Sequence, residues 1–189
     1  MKVLVIGDGG REHSIIWKLS QDKNISKIFC IGVNKGISEI CETIDFKYEN
    51  INDLKDKILE LNPDLVVVGP EIPLSEGITN LLEENNILVF GPTKEAAKIE
   101  SSKIFSKELM LKNNIPTAYA KFFNKFDDAK KYSLIKGYEN IVIKADGLAG
   151  GKGVFLPKSE EDMINILENL LIKKELGQSG INILIEDKI

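Results

Sequence analysis

Residues 141–155 read IVIKADGLAGGKGVF and constrain the fold more than any other stretch. Ile141-Val142-Ile143 is a β-branched run ended by Lys144, and Val154-Phe155-Leu156 is apolar again. Between them, Gly147, Gly150, Gly151 and Gly153 surround a second lysine, Lys152. The pattern predicts a strand, a pliable glycine turn and a returning strand. Without Cβ atoms, the N–H groups of such a loop can approach a bulky anion closely. With two lysines nearby, this is the chemistry a hairpin needs to fold over a nucleoside triphosphate. The bland alternative is a hairpin turn with solvated lysines, although a plain turn needs only about two residues. Two other phosphate loops do not fit. A P-loop would need glycine where Asp146 stands and Ser or Thr where Gly153 stands, with a helix to follow. A protein-kinase loop would need H-R-D and D-F-G segments, which are missing.

The amino-terminal half alternates strands and helices. Lys2–Ile6 reads as a buried strand, Gly7-Asp8-Gly9-Gly10 as a turn, and Arg11–Gln21 as a helix with Ile15, Ile16 and Leu19 inward and Trp17 in the core. The start of that helix aims N–H groups and a positive dipole at the loop, which suits a phosphate or phosphoribosyl group; a plain strand-to-helix turn is the alternative. G-x-G-x-x-G fails because Glu12 occupies the third glycine position. The next strand, Lys27–Ile31, is followed by Gly32-Val33-Asn34 without an acidic residue for a ribose, so a dinucleotide site is not expected. Arg11 is the only arginine among 25 basic residues, and His13 is the only histidine. A lone arginine suggests a position that wants a planar, bidentate donor, unless it merely reflects a lysine-biased genome. Asn34-Lys35-Gly36 reads as a polar loop. Asn52 is expected to cap a helix running to about Leu61. Asp64–Val68 is a buried strand leading into Gly69-Pro70-Glu71, Leu74–Asn85 a helix, and Ile87–Phe90 a strand ended by Gly91-Pro92. Glu71, at the carboxyl end of the sheet, could accept ribose hydroxyls or serve as a solvated or capping carboxylate. The alternation implies a doubly wound parallel sheet.

After Pro92 the pattern changes. Thr93–Glu100 and Ser102–Asn113 read as helices, the second with Lys103 and Lys107 on one face. Tyr119–Phe123 reads as a strand, and Asp127 or Asp128 begins a helix to Lys136. Beyond the glycine hairpin, Ser159–Asp162 reads as a capping box opening a helix to about Lys174, and Ile181–Ile185 as a strand ending in Glu186-Asp187. This half is α+β, with helices on an antiparallel sheet. The expected division is 1–92, a linker at 93–100, and 101–189.

Net charge −4 disfavours unspecific nucleic-acid or anionic-membrane binding. Cys30 and Cys41 have no zinc-type spacing and read as reduced thiols. No run reaches the ~18 apolar residues of a membrane span, and MKVLVIGDGG reads as a first strand rather than a signal peptide. A cytoplasmic location follows as an expectation.

GDGGREH (7–13), VVGPEIPL (67–74), FGPT (90–93), SSKIFSK (101–107), VIKADGLAGGKGV (142–154) and ILIED (183–187) occur in register. Together they resemble the glycinamide ribonucleotide synthetase (phosphoribosylamine–glycine ligase) family of the ATP-grasp superfamily. The resemblance runs along the whole chain and implies a pre-ATP-grasp α/β domain followed by the small lobe of an ATP-grasp fold. The implied reaction joins ATP, glycine and 5-phosphoribosylamine into glycinamide ribonucleotide, ADP and phosphate through glycyl phosphate, a step of de novo purine synthesis. The cofactors implied are ATP with Mg²⁺ or Mn²⁺, and the implied full-length protein is monomeric. Carried over by position, Lys103 and Lys144 would meet ATP phosphates. Gly150, Gly151, Lys152 and Gly153 would form a moving flap, and Glu186 and Asp187 a hinge that reads adenine through its backbone. Gly9, Gly10, Arg11 and Glu71 would face phosphoribosylamine. His13 reads as a structural residue at the helix start, with an acid or base as the alternative. The family's P-G-N-x-G-T loop is Ile31-Gly32-Val33-Asn34-Lys35-Gly36-Ile37 here; Asn34 and Gly36 remain as substrate contacts. The family continues past the point where this sequence stops, with a lobe that carries the metal ligands and most of the glycine site. The 189-residue chain is therefore expected to show no ligase turnover, to bind ATP weakly at best, and to leave its last strand as an open edge. Two alternatives stay open: another ATP-grasp carboxylate–amine ligase, and a stand-alone nucleotide- or phosphoribosyl-binding module.

Overall fold

The computed structural model describes residues 1–189, the side chain of Gln178 excepted. The chain forms two compact units, Met1–Ala97 and Lys98–Ile189.

The first unit is a parallel sheet built from β1 (Lys2–Ile6), β2 (Lys27–Ile31), β3 (Glu42–Ile44), β4 (Leu65–Val68) and β5 (Leu88–Phe90), in the order β3-β2-β1-β4-β5. Helices cover both faces, so the central strands can be apolar at every position. Val3, Val5, Cys30 and Val67 pack on one face with Ile16 of α1 (Gly10–Leu19) and Ile37 of α2 (Lys35–Ser38). Leu4, Ile6, Val66 and Val68 pack on the other with Leu54 and Ile58 of α3 (Ile51–Leu61), Leu74 of α4 (Glu71–Glu76), and Ile78 and Leu82 of α5 (Ile78–Glu84). Strand order reverses between β1 and β4, and the loops after these two strands diverge at their carboxyl ends, where open α/β sheets hold ligands.

Several local expectations need correcting here. Asn50, not Asn52, caps α3: its side chain accepts the N–H groups of Asn52 and Asp53. Asn34-Lys35-Gly36 is not simply a loop, because Asn34 caps the short helix α2 by accepting from Gly36 and Ile37. The helix expected over Leu74–Asn85 is two helices, broken by Gly77 in the left-handed region (φ 99°). Trp17 is 56% exposed and not in the core. It neighbours the fully buried Ile16 on α1, and one helical stripe cannot face both ways.

The second unit begins in α6 (Lys94–Ser101) and continues through α7 (Lys103–Lys112) to an antiparallel sheet. Its strands are β6 (Ala120–Phe123), β7 (Ile141–Ala145), β8 (Val154–Phe155) and β9 (Ile183–Asp187), in the order β6-β9-β7-β8. The last strand is thus central rather than an open edge: β9 pairs with both β6 and β7, and the edges are β6 and β8. Alternation sorts the two faces. Ile141, Ile143, Ala145, Ile183 and Ile185 point into a core with Ala129 of α8 (Phe126–Lys136) and Met163, Leu167 and Leu170 of α9 (Glu160–Leu171). Ser159 caps α9 by accepting the Asp162 N–H, but the box is not closed on Ser159. The Asp162 carboxylate instead accepts the N–H of Lys158, one residue upstream.

Candidate functional site

Two groups of residues carry chemistry, one within each unit. In the first, β1 ends at Ile6 and the chain turns through Gly7–Gly9 into α1. Glu12 is buried and organises the turn: its Oε2 accepts the Gly9 N–H at 2.8 Å, and its Oε1 accepts Arg11 Nε at 3.0 Å. Arg11 then donates from Nη1 and Nη2, each 3.1 Å from Glu71 Oε1, so the ends of β1 and β4 are joined across the reversal point. The guanidinium is raised above its ordinary pKa by Glu12 and then Glu71. The Glu71 carboxyl lies below the usual range, through its own main-chain N–H at the start of α4 and through Arg11, against burial. The Asn34 amide donates to the Asp8 carbonyl at 3.1 Å, bringing the β2 loop to the same turn. Gly36 lies against the His13 ring, which leaves His13 packed at the helix start. Gly9, Gly10 and Arg11 are exposed at the start of α1, where the first N–H groups of a helix have no partners within it and can suit an anion. The structure therefore brings Gly9, Gly10, Arg11, Asn34, Gly36 and Glu71 around one rim. Sequence reading passed over Glu12, whose signal was an acid in place of a glycine.

In the second unit the chemistry lies on the sheet face away from α8 and α9. Alternation puts Lys144 of β7 and Glu186 of β9 there. Register sets Lys144 opposite Leu184, so Glu186 is its diagonal neighbour, within reach of long side chains. Lys144 Nζ pairs with Glu186 Oε2, and Lys107 of α7 reaches Glu186 Oε1 at 2.7 Å. Lys103, one helical turn before Lys107, donates to the Gly147 carbonyl at 3.0 Å. Burial pushes the Lys103 ammonium below the ordinary lysine value; Asp146 opposes this and Lys144 adds to it. Lys103, Lys107, Lys144 and Glu186 share a cavity of about 540 Å³ with the apolar Ile99, Met110, Pro116 and Ile189. A cavity lined by both ammonium groups and apolar side chains suits a ligand that combines an anionic group with an apolar one.

The glycine hairpin adjoins this face. Its base is fixed: the Asp146 carboxylate accepts Ser102 Oγ at 2.9 Å and the Ile104 N–H at 2.8 Å, and Ser179 Oγ donates to the Leu148 carbonyl at 2.8 Å. Its tip is open. Gly150 and Gly151 have φ of 54° and 80° with no atom near their missing side chains, and Lys152 is exposed. Gly153 is buried at the return into β8. The Asp187 carboxylate pairs with Lys136 at the end of α8 at 2.7 Å, and the Asp187 N–H donates to the Tyr119 carbonyl beside β6, so both groups have partners within the unit. Lys107 and Asp146 were missed as site-forming residues. A lysine one turn after Lys103 was the available signal for the first, and an acid directly after Lys144-Ala145 for the second. Among the described residues no three His, Cys, Asp or Glu side chains converge as a metal site.

A model of the phosphoribosylglycinamide synthetase N domain matches residues 1–100, and a model of that synthetase's ATP-grasp (A) domain matches residues 101–189. The chain belongs to the phosphoribosylglycinamide synthetase family. The phosphoribosylamine–glycine ligase of Caldanaerobacter subterraneus subsp. tengcongensis is 42% identical over 189 residues, covering 100% of this chain and 45% of that protein. The crystal structure of the ligase of this family from Thermotoga maritima superposes with a TM-score of 0.79 at 28% identity, over 100% of this chain and 44% of that one. The chain thus spans a little under half the length of these two family members. The biotin carboxylase domain of 2-oxoglutarate carboxylase from Hydrogenobacter thermophilus, solved with MgADP, ADP and bicarbonate, gives a TM-score of 0.78 at 22% identity over 100% of this chain and 44% of that one. That likeness shows the shared fold: a parallel-sheet domain followed by part of an ATP-grasp domain. Among the described residues no helix is long and apolar enough to cross a membrane.

Proposed function

We propose that this chain supplies the phosphoribosylamine-binding domain and the ATP-covering lobe of a phosphoribosylamine–glycine ligase. Residues 1–92 would form the first, 93–100 the link and 101–189 the second. The reaction joins glycine to 5-phosphoribosylamine at the expense of ATP, with a divalent cation accompanying the nucleotide. The glycine carboxylate takes the γ-phosphoryl group, and the phosphoribosylamine nitrogen then attacks the activated carbonyl and releases phosphate. No protein nucleophile is needed; alignment, charge neutralisation and exclusion of water suffice. In this reading Lys103 and Lys144 hold phosphates, the 150–153 tip covers them, and the 186–187 segment borders the base. Arg11, with the start of α1, takes the sugar phosphate, while Glu71 accepts ribose hydroxyls.

The observation that carries the reading is the meeting of Lys103, Lys144 and Glu186 in one cavity beside the hairpin. A titration of the chain with MgATP and with ribose 5-phosphate tests it. Lys144→Ala is expected to weaken only the nucleotide and Arg11→Ala only the sugar phosphate. If neither substitution changes either ligand, the assignments are wrong.

A further inference from the structure

Lys107 is 5% exposed, and nothing in the ligase chemistry above uses it. Its ammonium has three donors and three acceptors: Thr117 Oγ1 at 2.6 Å, the Ala118 carbonyl at 2.9 Å and Glu186 Oε1 at 2.7 Å. Lys144 holds the other oxygen of the same carboxylate. One buried acid is therefore shared by two cations, with Lys103 close by. Stability is a weak reason to keep such a group, because an apolar side chain of similar volume often replaces a buried ion cluster without loss. What an apolar side chain cannot do is balance the charge of Glu186. With Lys107 in place, Lys107, Lys144 and Glu186 sum to one positive charge. Without it, Lys144 and Glu186 close into a neutral pair.

We propose that Lys107 is a positioning residue for the polyphosphate: by balancing the charge of Glu186 through Oε1 it leaves the Lys144 ammonium with net positive charge facing the cavity. The inference rests on reading this cavity as the ATP site. Lys107 acts through Glu186, and its effect should follow ligand charge rather than ligand size.

The test is an NMR titration of the 189-residue chain with MgATP, tripolyphosphate and adenosine at millimolar concentrations. Lys107→Met is expected to weaken MgATP and tripolyphosphate about tenfold and leave adenosine unchanged, since removing one nearby charge acts on the anion alone. Adding Glu186→Gln removes the carboxylate that neutralises Lys144 and is expected to restore both anions to within about threefold of the parent, by the same charge balance. A packing role would instead weaken adenosine as much as ATP, and the second substitution would not rescue it; that result overturns the inference. If Lys107→Met loses its cooperative melt, Lys107→Gln keeps a donor towards Glu186 and carries the same expected loss. Unchanged ATP binding in the Lys107 variants, with Lys144→Ala still impaired, overturns the inference and spares the ATP reading. If Lys144→Ala is also silent, or the parent chain shows no ATP-dependent shifts around Lys103 and Lys144, both fall.

Discussion

Glu12 shows how one side chain can redirect a loop. A dinucleotide-binding turn places glycine there so that helix and strand can pack closely. Here a buried carboxylate fills the space, holding the Gly9 N–H and the Arg11 guanidinium. Replacing it by alanine removes the carboxylate half of a capping arrangement and frees Arg11 to leave Glu71. A loss of about 1–2 kcal/mol in the urea stability of the first unit is expected, within the range of helix-cap deletions. Weaker ribose 5-phosphate binding should accompany it. Cys30 gives a second prediction at this scale. Its thiol donates to the Gly7 carbonyl at 3.2 Å, and burial pushes it up to about 12 from 9.0. A raised folded-state pKa contributes stability that is complete below the ordinary thiol value and is lost as pH rises through that window. The first unit should therefore weaken between pH 9.0 and about 12, and Cys30→Ala should flatten that decline in urea melts. An unaltered slope would remove the thiol as its cause.

Among the elements, the glycine hairpin divides into a base that cannot take a side chain and a tip that can. A Cβ on Gly147 would lie 2.7 Å from Ser179 Oγ and 2.9 Å from Ser179 Cα, so backbone would have to move. Gly147→Ala should cost about 1–3 kcal/mol, as overpacking does, and speed hydrogen exchange in β7 and β8. Gly150→Ala meets no neighbour and pays only for its left-handed φ, about 1 kcal/mol. Equal effects of the two would contradict this division. The hairpin was legible because its signal is local: β-branched runs bracket the glycines. The parallel half was legible from its continuous apolar strands. What was not legible is non-local. β3 escaped notice because Glu42-Thr43-Ile44 is short and mixed in character, and becomes a strand by pairing with β2. The central place of β9 depends on β6, whose residues pair with it from 60 to 66 positions away in sequence, which periodicity along the chain cannot encode. That placement also explains Glu186. Burial would raise its carboxyl, but hydrogen bonds from Lys107 and Lys144 outweigh this, and it lies below its ordinary value. A depressed carboxyl contributes stability that is complete above the ordinary glutamate value and is lost as pH falls through the lowered one. Acid melts of the second unit should therefore soften in that range, and Glu186→Gln paired with Lys107→Met should remove the effect.

At the level of the whole molecule, each candidate site is built from one unit's own residues, and each unit has its own core. Leu4, Leu54, Ile58, Ile78 and Leu82 belong to the first; Ile143, Met163, Leu167 and Ile185 belong to the second, and no buried residue is shared between these clusters. Cores that share no side chains should respond separately to a cavity, since distant substitutions with no common partners add independently. Ile58 is fully buried beneath the parallel sheet, and Leu167 beneath the antiparallel one. Truncating either to alanine removes apolar contacts and leaves a void, which costs about 2–5 kcal/mol. Ile58→Ala is therefore expected to speed amide exchange in β1 and β4 while β7 and β9 keep theirs, and to weaken ribose 5-phosphate before MgATP. Leu167→Ala should do the reverse. Residue-resolved hydrogen exchange on both variants decides the matter. If Ile58→Ala lowered protection in β7 and β9 as much as in β1, the two units would unfold as one, and the separate assignment of sugar phosphate and nucleotide would lose its structural basis.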